Sequence, residues 1–178
     1  MPADQIPSSS EPKIVVIGLG NPVLGDDGVG WRIADELEAA LGAARAAGGT
    51  MPAVRIERLG VGGLTLMETI SGYRAAVLID AAQFPGRPLG EVRSGPFSGV
   101  EGGGGGHLDS AHDVSLDSAL ELGRRLGAAL PERIDTVTVQ IEARDEFADG
   151  LSPAVEAAVP EAVSAVLKLL VGPDVPTA

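Results

Sequence analysis

Residues 14–30 read IVVIGLGNPVLGDDGVG, and this stretch decides the fold. Ile14 to Ile17 form an unbroken β-branched run with no polar alternation. Such a run suits a strand covered on both faces, as in a parallel sheet. Gly18-Leu19-Gly20 closes it, NPVLGDDG makes a loop, and a helical pattern follows. Val29, Ile33, Ala34, Leu37, Ala40 and Leu41 fall on one stripe. Arg32, Asp35, Glu36 and Glu38 fall opposite, and Gly42 is the expected stop. Strand, glycine-rich loop and amphipathic helix in that order predict a βα unit.

Working outward, the same alternation recurs. Residues 43–52 are rich in Ala and Gly and read as loop. Val54, Ile56 and Leu59, interleaved with charges, read as a half-exposed strand. Gly62-Gly63 opens a short helix with Leu64, Met67 and Ile70 on its apolar side. Ala75 to Ile79 is a second buried strand ending on Asp80, and a weak strand is expected near Glu91–Arg93. Residues 94–106, with glycine at every position from 102 to 106, read as a mobile loop. A helix is expected from about Val114, with Leu116, Ala119, Leu120, Leu126 and Leu130 apolar. Ile134, Val137, Val139 and Ile141 mark another strand. Ser152-Pro153 opens the last helix, the favoured order of cap residue and first-turn proline. Its stripe is Val155, Val159, Val163, Val166, Leu167 and Leu170, with a kink or break expected at Pro160. The expected fold is therefore α/β with three layers. A twisted, mostly parallel sheet of about five strands carries helices on both faces. One domain is expected over residues 13–171, with flexible tails at 1–12 and 172–178.

Composition narrows the chemistry. The chain has 178 residues, no cysteine and two histidines, His107 and His112. Disulfides, thiolate metal sites, cysteine nucleophiles and three-histidine sites within one chain are all excluded. Lys+Arg is 13 against 25 Asp+Glu, a net charge of −12, which opposes nucleic-acid binding. The hydrophobic fraction of 44% suffices for a core, and aromatics at 3% make that core aliphatic. No apolar run reaches the ~18 residues of a membrane span, and the first dozen residues lack the pattern of a secretory signal. A cytoplasmic location is expected.

Ligands of open α/β sheets bind beyond the carboxyl ends of the strands. Asp26-Asp27 follows the first strand and Asp80 ends the second buried one. His112 precedes the third helix and is expected at the same rim. Two carboxylates and an imidazole form a borderline-hard set suited to nickel, zinc, iron or manganese. Each residue also has a structural role open to it. Asp26 or Asp27 can cap a helix, Asp80 can terminate a strand, and His112 can be a capping or surface histidine. Asp113 reads as a cap and His107 as a solvated loop residue. Gly18-x-Gly20 lacks a third glycine at position 23, so the dinucleotide fingerprint is broken. Walker, G-x-S-x-G and H-E-x-x-H patterns are absent.

As a unit, GLGNPVLGDDGVG resembles the signature of the hydrogenase maturation proteases. These endopeptidases trim a C-terminal extension from the large subunit of nickel–iron hydrogenases. The likeness runs from Lys13 to Leu170 and includes VLIDAAQF, SAHDVSLDSALELG, LPERIDTVTVQIE and GLSPAVEAAV in order. It implies that Asp27, Asp80 and His112 form the catalytic and metal-binding trio. It also implies that the metal is nickel already inserted in the precursor, with none held tightly by the free protease. The implied partner is the large-subunit precursor, met by a monomer. Two departures stand out. Many relatives carry Glu where Asp27 stands, and the polyglycine run resembles an insertion beside the histidine segment. Whether a carboxylate orients the attacking water or the metal polarises the scissile carbonyl stays open.

Two other readings compete. Peptidyl-tRNA hydrolases also begin with a strand and G-L-G-N-P-G, but that similarity stops at Pro22. A non-catalytic α/β binding module would use the acids as caps and the glycines as turns.

Overall fold

A computed structural model describes residues 13–60, 62–98, 108, 115–142 and 147–172. The expected tail at 1–12, the expected tail at 172–178 except Gly172, the polyglycine run, His107, His112, Asp113 and Val114 lie outside the described residues. Among the described residues, five strands and four α-helices follow in the order β1 (Ile14–Leu19), α1 (Val29–Ala46), β2 (Val54–Leu59), α2 (Gly63–Ile70), β3 (Ala75–Ala82), β4 (Val92–Pro96), α3 (Leu116–Leu126), β5 (Arg133–Gln140) and α4 (Pro153–Val171). A 3-10 turn at Gly25–Gly28 precedes α1. The sheet order is β2-β1-β3-β5-β4. All pairings are parallel except β4 on β5. The expected three-layer α/β architecture with a mostly parallel five-stranded sheet is the one observed.

Side chains alternate across the pleat and so build two cores, one on each face. Ile14 and Val16 of β1, with Val77, Ile79 and Ala81 of β3, pack under α1 and α4. Val15, Ile17 and Leu19, with Ala76 and Leu78, pack under α2 and α3. Every residue of β1 and β3 is buried, which is why neither shows polar alternation. The edges are guarded differently. β2 carries the Arg55–Glu57 pair at 2.6 Å, with Arg55 exposed and Glu57 half-buried, and β4 ends in Gly95-Pro96. No helix among the described residues is long and apolar enough to cross a membrane.

Several local expectations are corrected. α1 runs through Gly42 to Ala46, because Gly42 is exposed and Ala43, Ala44 and Ala46 are strong helix formers. β3 continues past Asp80 to Ala82, because Ala81 and Ala82 still pair with Val139 and Gln140 of β5. β4 extends to Pro96, into the stretch expected to be loop. In α2, Leu66 is buried and Leu64 is exposed, since the stripe runs from Gly63 through Leu66 and Met67 to Ile70. α3 begins at Leu116, capped by Ser115, whose Oγ accepts from the Ser118 N–H at 3.4 Å. Leu126 is exposed because Gly123 holds the stripe position, where a Cβ would lie 3.0 Å from Met67 Sδ. α4 passes through Pro160 without a break. Pro160 and Glu156 are both exposed, so water can serve the carbonyl that the missing N–H would have bonded. Ala158 and Ala162, rather than Val163 and Leu167, complete its buried face.

Candidate active site

The strand order reverses between β1 and β3. From β1 the chain crosses to β2 on one side, and β3 then returns to pair on the other. This is the switch point at which open α/β sheets form a crevice. The register pairs Gly18 with Ile79, so the carboxyl end of β1 meets β3 at the level of Asp80.

The glycines of the first motif pack that junction. Gly20 turns the chain at φ +133°, and a Cβ there would fall 1.9 Å from the Asp27 carbonyl oxygen. A Cβ on Gly30 would fall 2.2 Å from the carbonyl oxygen of Leu19 and 2.7 Å from that of Ile79. The start of α1 therefore lies across the ends of both strands at contact distance. Trp31 Nε1–H donates to the Leu59 carbonyl at 3.1 Å and ties the same turn of α1 to the end of β2. The glycine pattern thus serves close packing, consistent with the broken dinucleotide fingerprint.

Asp26 and Asp27 both sit in the 3-10 turn, but their surroundings differ. Asp27 is half-buried, and its Oδ2 accepts the Asn21 N–H at 2.8 Å. Asn21 Oδ1 accepts from the Val23 N–H at 3.2 Å, so the loop is braced from within. Asp26 is 9% exposed and turns away from its own helix, and its Oδ1 accepts the Ser152 N–H at 2.6 Å. Ser152 is the residue preceding α4. Neither the 3-10 turn nor α1 has a side-chain cap, so the expected capping of the adjacent helix is not seen; Asp26 instead binds the residue preceding a helix 126 residues downstream.

Asp80 is 1% exposed. Its neighbours at alternate positions, Ala76 and Leu78, belong to the core beneath α2 and α3, so its carboxylate faces that side. Asp80 Oδ2 accepts the Leu108 N–H at 3.1 Å. Leu108 packs against the same core and stands four residues before His112. The structure thus brings Asp27 and Asp80 to one end of two adjacent strands. His112 lies outside the described residues. Among the described residues, no three His, Cys, Asp or Glu side chains gather closely enough to hold a metal ion.

A cleft of about 520 Å³ opens beside the 3-10 turn, lined among others by Asp26, Asp27, Gln83, Glu142, Asp149 and Ser152. Asp80 is not among the described residues lining it. Gln83 and Glu142 follow the carboxyl ends of β3 and β5 within two residues. The rule that singles out Asp80 applies equally to them, and sequence reasoning passed them over. A cleft with four carboxylates at its wall favours cations and opposes anions such as phosphate.

Comparison with known proteins agrees with this geometry. The family model of the hydrogenase maturation proteases, HycI, matches residues 31–169. That match begins downstream of GLGNPVLGDDGVG and so does not depend on it. The hydrogenase maturating endopeptidase HybD from E. coli superposes with a TM-score of 0.67 at 25% identity, covering 88% of this chain and 91% of its own. Two archaeal structures share the fold. HybD from Thermococcus kodakarensis, a [NiFe] hydrogenase maturation protease, gives a TM-score of 0.63 at 23% identity, with 88% and 98% of the two chains covered. HycI from the same organism gives 0.62 at 21% identity, with 92% and 96% covered. No curated protein matches by sequence. The likeness to peptidyl-tRNA hydrolases gains nothing from these matches. With some four-fifths of its length under one family model, this chain belongs to the hydrogenase maturation proteases and is a hydrolase of that kind.

Proposed function

We propose that the chain is an endopeptidase that removes the C-terminal extension of a nickel–iron hydrogenase large-subunit precursor after nickel has been loaded. Asp27, Asp80 and His112 read that nickel as a carboxylate, carboxylate and imidazole set. The observation that supports the reading is that Asp27 follows β1 and Asp80 lies near the carboxyl end of the adjacent β3, at the switch point of a chain from this family. The nickel is part of the substrate and arrives with it. A set of three protein ligands leaves positions open for groups that the precursor supplies.

Two chemical roles follow from the residues. A carboxylate at the rim can take a proton from the attacking water, which requires it to be ionised and within hydrogen-bond reach. The substrate's nickel can draw electron density from the scissile carbonyl. Asp80 is buried and already oriented by the Leu108 N–H, so it is preset for a fixed contact. Asp27, half-exposed at the cleft wall, is better placed to meet water. The protease acts in the cytoplasm as a monomer through a single domain at residues 13–171, and its net charge of −12 disfavours a nucleic-acid partner.

The direct test incubates the purified chain with a nickel-loaded, C-terminally extended precursor and follows the precursor's mass. Loss of the C-terminal segment at one peptide bond is the expected result. An intact precursor under these conditions rejects the reading.

A further inference from the structure

We propose that Asp26 is a positioning residue for cleavage: its carboxylate straps the 3-10 turn that carries Asp27 to the amino end of α4. The proposal rests on the reading above, in which Asp27 works in the site.

The amino end of α4 lacks two of the contacts that usually build it. A serine preceding a helix normally lends its hydroxyl to a backbone N–H of the first turn. Ser152 makes no such bond, and its Oγ is buried with no hydrogen-bond partner. In a capping box, a Glu or Gln at the third helical position returns the favour by accepting the N–H of the cap residue. That position here is Val155, which cannot. Asp26 supplies the missing acceptor from the other end of the chain, at 2.6 Å from Ser152 N. A carboxylate in this place also faces the positive end of the α4 dipole.

The strap has further threads. The Ala148 N–H donates to the Val23 carbonyl at 3.3 Å, and Leu24 forms a parallel bridge with Ala148. Gly25, at φ +61°, brings its backbone so close that a Cβ there would lie 2.9 Å from Ala148 Cβ. Residues 23–26 thus run along residues 148–152. α4 is itself a fixed reference, because Val155, Val159, Val166 and Leu170 bury it against the sheet. Asp27 is one residue beyond this anchor on one side, and its own carboxylate holds Asn21 on the other. Its position is therefore set against the body of the domain rather than by a free loop. Misplacing a reacting group by about 1 Å can cost about a hundredfold in rate.

The test measures kcat and KM for cleavage of the nickel-loaded precursor, well below each variant's melting temperature. The variants are Asp26→Ala, Asp26→Asn, Ser152→Pro, the Asp26→Ala/Ser152→Pro double and Asp27→Ala. Ser152 has φ −64°, the value a proline ring imposes, so Ser152→Pro deletes the donor with its own backbone angle kept. Asp26→Ala and Ser152→Pro are each expected to lower kcat roughly tenfold to a hundredfold, with KM within about twofold. The double variant should be no slower than the worse single one, because both remove one bond. Asp26→Asn keeps the shape and an acceptor oxygen, and should fall between wild type and Asp26→Ala. A wild-type kcat in Asp26→Ala or, should that variant not fold, in Asp26→Asn overturns the proposal. So does a lowered melting temperature with kcat unchanged, or two effects that multiply. Asp27→Ala separates the two ideas. If it cleaves normally, the site reading fails; if it is inactive while Asp26→Ala is normal, only the strap fails.

Discussion

Asp80 shows how little of a side chain need change to test its role. Its Oδ2 is held by the Leu108 N–H at 3.1 Å, and the residue is 1% exposed. Asparagine is the same size and can offer its amide oxygen to that donor, but it carries no charge and binds a cation poorly. Asp80→Asn is therefore expected to keep the fold, with a melting temperature within a few degrees of wild type. Cleavage of the nickel-loaded precursor should fall about a hundredfold or more. Equal loss of stability and activity would assign Asp80 to the fold instead. The rule about carboxyl ends of strands found Asp27 and Asp80 in the sequence, because both follow buried β-branched or aliphatic runs. It could not separate Asp26 from Asp27, which are adjacent acids at one helix start. What separates them is Ser152, and no local pattern reports a contact across 126 residues.

At the scale of elements, the glycines divide into those the packing requires and those it does not. A Cβ on Gly30 would fall 2.2 Å from the Leu19 carbonyl oxygen, with the Ile79 carbonyl oxygen close behind. A Cβ on Gly42 would meet nothing within 4 Å. Gly30→Ala must push α1 off the sheet and is expected to destabilise by about 3 kcal/mol. Gly42→Ala is expected to stabilise by about 0.5–1 kcal/mol, a rise of roughly 1–4 °C. Thermal or denaturant unfolding of the two variants checks both signs, and equal effects would refute this view of α1. The same contrast explains the misplaced end of α1. Gly42 looks like a stop in the sequence, but a glycine lowers helix stability by only about 1 kcal/mol, less than the burial of Leu37 and Leu41 returns. Pro160 misled in the same way, because its lost hydrogen bond falls on the exposed side of a helix held by its opposite face. Elements whose periodicity and packing agree, such as β1 and β5, were read in place, although β1 runs on to Leu19 and β5 stops one residue before Ile141.

For the molecule as a whole, the layers were legible and the order was not. Buried runs alternating with amphipathic stripes require helices on both faces of a parallel sheet, and the two cores divide along the pleat of β1 and β3. Nothing in Val92–Pro96 announces that β4 lies antiparallel on the outer side of β5, since that depends on the path of the whole chain. The site inherits this division. The switch point follows from the order β2-β1-β3-β5-β4, and the acids that line it come from segments far apart in sequence. Composition sharpened in meaning as well. A chain without cysteine and with two histidines has few strong ligands for nickel, which fits the proposed reading of nickel held by another protein. That is the central claim, and one comparison tests it most directly. The same precursor, with its C-terminal extension, is prepared nickel-loaded and nickel-free and mixed with this protease under single-turnover conditions. The account predicts rapid loss of the extension from the loaded form and at least about a hundredfold slower loss from the nickel-free form. Equal rates for the two would contradict it.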